Sequence, residues 1–483
     1  MRVAIVGGGI AGLSAAYELG KARAAGAAVE FTLYEERPHL GGSLASQIVN
    51  GMVLERGPDS FLTEKPATAA LCRELGLGGD LLPSNDAARK TYIVVRNRLV
   101  ALPDGLMFLV PTKLIPTAMS PLFGLSTKMR MGLDLLRPAR ASGGDESVAA
   151  LVRRHFGQET VDRLASPLLS GIYGGDAEQL SAQTVLPRLV EMETKYGSLT
   201  RGMLAANKRM RAAAKDSAGP KREGPAIFTT LRRGMGQLVD AIVTRLDSGS
   251  VRAGTRVNAI RKAGGGWSVE AGGAGEETYD ALIMAAPAWA AGDLLAPVDA
   301  ALGGELTGIL YSSSITINLV YDETRIGQLP EGFGFLVPAV EGHAMLACTF
   351  VHRKFLGRTP PGKAVLRAFL GGMNREALLA ESDEVLVATV RRELSEILGA
   401  KTFSADVEPE HVQVSRWRRA MAQYAVGHKE RMQRIGARVA ELPGFRLVGN
   451  AYDGIGVSDC IRLGRQAARE LAGAGSNTND STN

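Results

Sequence analysis

The stretch VAIVGGGIAGLSAAYEL, residues 3–19, reads as a buried strand, a glycine turn and then a helix. Gly7, Gly9 and Gly12 stand at the three positions of a GxGxxG pattern. The first makes the tight turn, the second lets backbone approach a pyrophosphate, and the third lets the helix pack on the strand. Gly8, Ile10 and Ala11 complete the loop, where the unpaired N–H groups of the helix N-terminus face a phosphate. A dinucleotide is therefore expected, and this motif alone leaves nicotinamide and flavin equally open.

Outward from that turn, residues 30–34 (EFTLY) form a second strand that runs into Glu35 and Glu36. Glu35 lies where the dinucleotide fold places a carboxylate for the ribose hydroxyls, roughly 20 residues beyond the glycine turn. Gly41 and Gly42 then bring a second piece of bare backbone towards the first. This order of strand, acid and glycine pair resembles the FAD-binding flavoproteins with two dinucleotide-binding segments. Gly57-Pro58-Asp59-Ser60 turns the backbone sharply enough to lay it against a flat ring. Residues 281–286 read as a further buried strand, and the flavoprotein resemblance puts the backbone of Val257 beside the adenine. Near the end, a strand at 446–448, Gly449-Asn450, a glycine turn and a helix repeat the opening arrangement. That repeat sets Gly456, Val457 and Ser458 against the isoalloxazine, with the helix dipole favouring a negatively charged reduced flavin. The fold class is α/β: a Rossmann-like FAD-binding domain, an antiparallel sheet domain for the substrate and an inserted helical domain.

At 483 residues the chain fills two or three domains. Its 58 glycines exceed the average share of about 7%, as many tight turns and close backbone approaches require. A net charge of +6, with Lys and Arg spread rather than blocked, excludes a nucleic-acid partner but suits an anionic substrate or a membrane surface. Cys72, Cys348 and Cys460 show no paired spacing, and the six histidines form no HxxxH pair, so neither a disulfide framework nor a metal site is expected. No apolar run reaches the roughly 18 residues of a membrane span, and the first strand begins too near Met1 to leave room for a signal peptide. The expected location is cytoplasmic, with peripheral contact at the inner membrane face left open.

Residues 65–82 read as an amphipathic helix with a glycine stop, and 92–103 as a hairpin turning at Asn97. Residues 105–136 are apolar but broken by Pro111, Pro116 and Pro121, which gives several short helices. They are expected to be core or pocket lining. The alternative is a membrane-dipping face, since Met107, Phe108, Leu109, Leu114 and Ile115 are flanked by Lys113, Lys128 and Arg130. Residues 195–222 are basic and helical, ending in an exposed mobile loop. Period-two runs between 312 and 369 predict an antiparallel sheet with one buried face, followed by a helix capped by Ser382 or Asp383. The expected domains are 1–88, 224–297 and 405–475 for FAD; 89–104 and 298–404 for the substrate sheet; 105–223 for the helical insertion; and a disordered tail, 476–483.

LERGPDSFLTEKP, LSGIYGGDAEQLS, YGSLTRGM, GFGFLVPAVEG, ACTFVHRKFLGRTPPG, AQYAVGHKER and VGNAYDGIGVSDCIRLG extend the pattern over essentially the whole chain. Through them the chain resembles the oxygen-dependent porphyrinogen oxidases of haem synthesis, the family of protoporphyrinogen oxidase and its bacterial relative coproporphyrinogen III oxidase. The resemblance implies non-covalent FAD, an anionic cyclic tetrapyrrole as substrate, and O2 as oxidant. It implies removal of six electrons by hydride transfer to the flavin, with peroxide as co-product. No Asp–His or Glu–His constellation offers a base, so no catalytic side chain is expected. Gly171, Ile172 and Tyr173 match the family's pocket segment, Trp417 matches a tryptophan near the flavin, and Ile315, Phe333, Phe335, Leu336 and Phe350 are candidates for packing on the macrocycle. Two departures stand out: many relatives carry arginine for a propionate where this chain has Thr91, and arginine after the Gly-Pro turn where it has Asp59. Lys65, Arg89, Lys90 or Arg96 are the substitutes to consider. The bacterial look of GPDSFLTEKP and TYIVVRNRLVALP favours coproporphyrinogen III over protoporphyrinogen IX. Rival readings are a flavin amine oxidase or desaturase, in which Cys460 would hold the flavin covalently, and a non-enzymatic binder. The sequence leaves the oligomeric state open.

Overall fold

The computed structural model describes residues 1–103, 106–107, 109–111, 114–138, 143–216, 226–273 and 275–473. Strand Arg2–Val6 lies at the centre of a five-stranded parallel sheet, in the order Val251–Ala253, Glu30–Glu35, Arg2–Val6, Ala281–Met284 and Phe445–Leu447. Alternation divides its side chains between two cores. Val3 and Ile5 pack under helices, whereas Ala4 and Val6 face the antiparallel sheet Val257–Ala263, Gly266–Ala271 and Glu276–Tyr279. A parallel sheet covered on both faces needs such continuous hydrophobic runs.

The helix Ile10–Ala24 is buried along residues 11–19 on every side. Its small residues allow the closing helix Val457–Leu471 to cross it directly: a Cβ on Gly464 would lie 2.1 Å from the Ala11 carbonyl oxygen. Leu13, Leu19 and Ile461 are fully buried around this crossing, each contributing about 1.5–3 kcal/mol.

A seven-stranded sheet forms the second layer, in the order His411–Ala422, Tyr311–Asp322, Lys363–Gly371, Met345–Phe350, Gly334–Leu336, Thr91–Val95 and Arg98–Ala101. All its pairings are antiparallel except Gly334–Leu336 with Thr91–Val95. The last two strands make the predicted hairpin, and Arg96 and Asn97 form its turn at φ 51° and 55°. The sheet also takes His411–Ala422, a strand that falls inside the 405–475 segment expected to belong with the FAD region. One face of the sheet, including Ile317, Leu319 and Leu366, is sealed by helix Asp383–Leu398, which Ser382 caps through the Val385 N–H.

A third core gathers the helices between Leu125 and Asp216. At its edge lies an Asp–His–Glu constellation that the sequence spacing does not show, the buried His155 with Nδ1 2.5 Å from Asp134 and Nε2 3.0 Å from Glu193, all within the helical region. Burial opposes a charge on the imidazole, but the two carboxylates outweigh it and raise its pKa. The helix expected over 65–82 is shorter, Pro66–Glu74, because the glycines at 76, 78 and 79 release the chain into strand Leu81–Pro83, which pairs with Phe228–Leu231.

The proline-broken segment is both core and surface. Leu109, Val110, Leu122, Phe123 and Met131 are buried, whereas Ile115, Met119, Leu125, Met129, Leu133 and Leu136 are each 60% to 80% exposed. Phe108, Lys113, residues 217–225 and the tail from 474 lie outside the described residues. Among the described residues no helix is long and apolar enough to cross a membrane.

Candidate functional site

The glycines of the opening turn have separable geometric roles. A Cβ on Gly7, at φ 111°, would lie 2.8 Å from the Ala285 carbonyl, and one on Gly12 would lie 1.9 Å from the Gly7 oxygen. At Gly9 the opposite holds: a Cβ would meet nothing within 4 Å, so the space before the helix is open. Gly9 is the N-cap without a capping side chain, and the first turn carries no acid, which leaves the N–H groups around Ile10 and Ala11 to an anion. Gly41 donates its N–H to the Gly8 oxygen (2.8 Å), and a Cβ on Gly42 would come within 3.2 Å of Gly9 Cα. Bare backbone thus meets bare backbone.

Glu35 ends the second strand beside this loop. Its carboxylate accepts the Gly8 N–H at 2.7 Å and the Arg37 N–H at 3.0 Å, while Glu36 is exposed. The Thr255 N–H donates to the Glu35 carbonyl at 2.8 Å, which carries the chain to the buried Val257.

The closing helix brings a second N-terminus to the same region. Gly456 is its N-cap, preceded by Gly449 at φ 140° and Gly454 at φ 100°. The Asn450 amide donates to the Ala420 carbonyl (3.0 Å), and the Asn450 carbonyl accepts the Tyr424 hydroxyl (3.0 Å). The Ser458 hydroxyl is committed to Thr68 (2.6 Å) and the Lys65 carbonyl, leaving its backbone N–H for a ligand. Lys65 itself pairs with Asp459 at 2.6 Å. Cys460 is buried in the core between the helices, and burial pushes its thiol up to about 12, far from a reactive thiolate.

Between these termini runs Gly57–Ser60. A Cβ on Gly57 would lie 1.9 Å from the Ser43 oxygen, so only glycine fits, while Pro58 is exposed. The Arg56 carbonyl accepts both Trp417 Nε1 (2.7 Å) and the Thr316 hydroxyl (2.7 Å), which fixes the half-buried Trp417 beside the turn. Asp59 accepts Lys354 Nζ at 3.0 Å and the Ser60 hydroxyl at 2.6 Å. Burial opposes its charge, yet Lys354 and Arg367 hold the carboxyl far below the usual range.

From the turn outward, the uncovered face of the seven-stranded sheet makes a wall. Near strand Met52–Glu55 its side chains, including Asn318, Val320 and Val365, are buried. Further along the same face Ser314, Leu336, Thr349, Phe369 and Trp417 are only half-buried. The helix Ser166–Tyr173 closes on this wall: a Cβ on Gly171 would lie 3.4 Å from Leu336 Cδ2, and Gln423 donates to the Tyr173 carbonyl at 2.8 Å. Tyr173 packs in the core that Leu336 borders, and Ile172 is 54% exposed.

The structure thus sets Gly171 and Tyr173 against Leu336, with Trp417 on the same sheet face and three strands between them, but it does not gather all the expected pocket residues. Ile315, Phe335 and Phe350 lie in the opposite core, under helix Asp383–Leu398. Phe333 is buried, its N–H donating to the Lys90 carbonyl. Adjacent strand residues point to opposite faces, so Thr349 and not Phe350 reaches the wall. Thr349 and Phe369 are not among the residues expected from the sequence, which carries no signal for them; their observed pairing with Arg367 and Thr316 places them on the wall. Two more of the substitute cations face carboxylates, Arg89 4.0 Å from Asp86 and Lys90 3.7 Å from Glu331, whereas Arg96 gives Glu341 only its backbone N–H.

The donor set fits a flavin dinucleotide: an uncapped helix N-terminus at Gly9 for the phosphates, the Glu35 carboxylate beside the same loop, a second helix N-terminus at Gly456 and an open cradle at Gly9 where a Cβ would meet nothing. Among the described residues no cluster of three metal-ligating side chains occurs. The family profile described as flavin containing amine oxidoreductase matches residues 10–472. The coproporphyrinogen III oxidase of Bacillus subtilis strain 168 is 33% identical over 470 residues, covering 97% of each chain. Protoporphyrinogen oxidase 1, chloroplastic, of Arabidopsis thaliana is 29% identical over 97% of this chain and 87% of its own. A solved structure from Exiguobacterium sp. 255-15, provisionally named protoporphyrinogen oxidase, superposes with a TM-score of 0.83 at 31% identity, covering 98% of this chain and 99% of that one. A putrescine oxidase variant shares the fold at a TM-score of 0.68 and 19% identity, covering 98% of this chain and 99% of its own.

Proposed function

The chain belongs to the porphyrinogen oxidase branch of the flavin-containing amine oxidoreductases, and from that premise we propose that it oxidises coproporphyrinogen III to coproporphyrin III with FAD and O2. It is a flavin-dependent oxidoreductase. The observation that carries the reading is one junction. The dinucleotide trough ends at Gly57 and Trp417, where the half-buried wall of Ser314, Thr349 and Phe369 begins. A flat apolar ring system seated on that wall would lie edge-on to Gly171 and Leu336.

Bound FAD supplies the redox chemistry by accepting hydride and returning electrons to O2. The protein's part is orientation. Glycine backbone from Gly7 to Gly12 would hold the pyrophosphate, Glu35 the ribose, and Gly57–Ser60 with Gly456–Ser458 the ring. Phe369 and Leu336 position the macrocycle, and no side chain acts as acid or base. Burial holds the Cys460 thiol protonated, which supports non-covalent attachment. The coproporphyrinogen preference rests on the 33% identity with the Bacillus subtilis protein, against 29% with the plant protoporphyrinogen oxidase. A cytoplasmic protein resting on the inner membrane face is supported by the exposed apolar row from Ile115 to Leu136, whose neighbours Lys128 and Arg130 are basic.

The test is anaerobic titration of FAD-loaded protein with each porphyrinogen. Coproporphyrinogen III is expected to bleach the flavin bands, and O2 to restore them with peroxide and porphyrin as products. Faster bleaching by protoporphyrinogen IX would reverse the substrate assignment, and a protein that takes up no FAD would end the enzyme reading.

A further inference from the structure

Where the trough meets the sheet, five charged side chains are gathered out of bulk water. Glu55 pairs with Arg358, and Asp59 pairs with Lys354 at 3.0 Å and faces Arg367 at 3.8 Å. Arg358 is 1% exposed, Arg367 2% and Glu55 3%. Glu55 is further occupied by the Met235 N–H (2.8 Å) and the Ser46 hydroxyl, and Arg358 donates to the Thr230 hydroxyl at 3.1 Å. Three cations therefore face two carboxylates, a surplus of one positive charge where water screens poorly.

A buried charge is expensive without a counter-charge, and among the described residues no third carboxylate lies within 4.0 Å of the three cations. The Nε atoms of Arg358 and Arg367 have no hydrogen-bond partner. Other neighbours are aromatic faces: Lys354 lies 4.7 Å from the Phe228 ring and 4.9 Å from Phe355, and Arg367 lies 4.9 Å from Phe369. Arg56, which precedes Gly57 in the turn, is a further cation and bonds Ser415. Arg367 ends on the carbonyl of Gly57, the turn assigned to the flavin ring.

We propose that this unbalanced cluster tunes the flavin, with Arg367 and Lys354 favouring its negatively charged reduced form and Asp59 setting the limit. The inference rests on the FAD reading above. Arg367 and Lys354 are positioning residues in this scheme; they act by field through the Gly57–Ser60 turn. An interdomain staple made of the same residues would hold the two sheets together but would not discriminate between removal of a positive and of a negative charge.

The experiment compares flavin midpoint potentials of FAD-loaded protein by dye-coupled anaerobic reduction. Lys354→Met is expected to shift the oxidised-to-reduced equilibrium about tenfold towards oxidised, close to 30 mV for a two-electron couple. Asp59→Asn is expected to shift it in the opposite direction, and the double variant to return near the wild-type value. Arg367→Lys keeps the charge and is expected to keep the potential, so the scheme survives even if Arg367→Met fails to fold. Potentials that all move together, or none that move, would overturn the proposal. Failure of the FAD reading is distinguishable, because the wild type would then yield no flavin to titrate.

Discussion

The glycine trough and the sheet wall bound one site but are fixed by different physics. In the trough the constraint is absolute: a methyl group at Gly7, Gly12 or Gly57 would overlap main-chain atoms that have nowhere to go. On the wall the constraint is one of parity, since many side chains would fit but a shift of one residue sends them to the other face. The trough tolerates almost no change in residue type, whereas the wall tolerates changes of type but none of register.

The sharpest way to break this contrast is at Gly12. Gly12→Val would drive side-chain atoms into the Gly7 carbonyl, and loss of all bound flavin is expected, measured as flavin absorbance per polypeptide. The next tests are two phenylalanines on opposite faces. Phe350→Ala should destabilise the protein by about 3–5 kcal/mol with an unchanged KM, because Phe350 is wholly within the helix-covered core. Phe369→Ala should leave flavin content intact and raise the porphyrinogen KM about tenfold, the loss of an aromatic contact of roughly 1.5 kcal/mol. Equal effects of the two on KM would show that the faces are misassigned.

The helical region adds a pH-dependent test. With its pKa raised by Asp134 and Glu193, His155 contributes stability that is complete below its unfolded value of about 6.5 and is lost as pH rises through the folded value. Asp134 and Glu193 have lowered pKa values, so their contribution is present above about 4 and is lost in acid. In thermal melts the advantage of wild type over His155→Gln should therefore be largest near pH 6 and shrink as pH rises above about 6.5. The smallest expected effect on the fold is at the exposed row. Met129→Glu with Leu133→Glu should change stability by less than about 0.5 kcal/mol but abolish flotation with anionic vesicles.

What was legible follows the same division. The opening turn, the hairpin at Asn97 and the cap at Ser382 could be read because each depends on local backbone or on neighbours within a few residues. The wall could not be read in the same way. Ile315 and Phe350 look like pocket residues by composition, and only the pairing of Thr316 with Phe369 and of Thr349 with Arg367 reveals the face. The apolar segment around 105–136 was ambiguous for another reason: hydrophobicity alone does not tell a covered side from a bare one, and the short helix Leu125–Leu133 has both. The partners of Asp59 were illegible because Lys354 and Arg367 lie roughly 300 residues away, reached only through sheet topology.

The crossing of Ala11 by Gly464 also sets a timetable. The N-terminal ends of these two helices lie about 450 residues apart, so at 5–20 residues per second the ribosome needs roughly 20 to 90 s between making one and making the other. Throughout that interval the first strand and helix have emerged without their closing partner. On the proposed placement of FAD between the two helices, a chain cut short before Val457 is expected to carry the complete glycine motif and yet bind flavin poorly, measured as flavin absorbance per polypeptide.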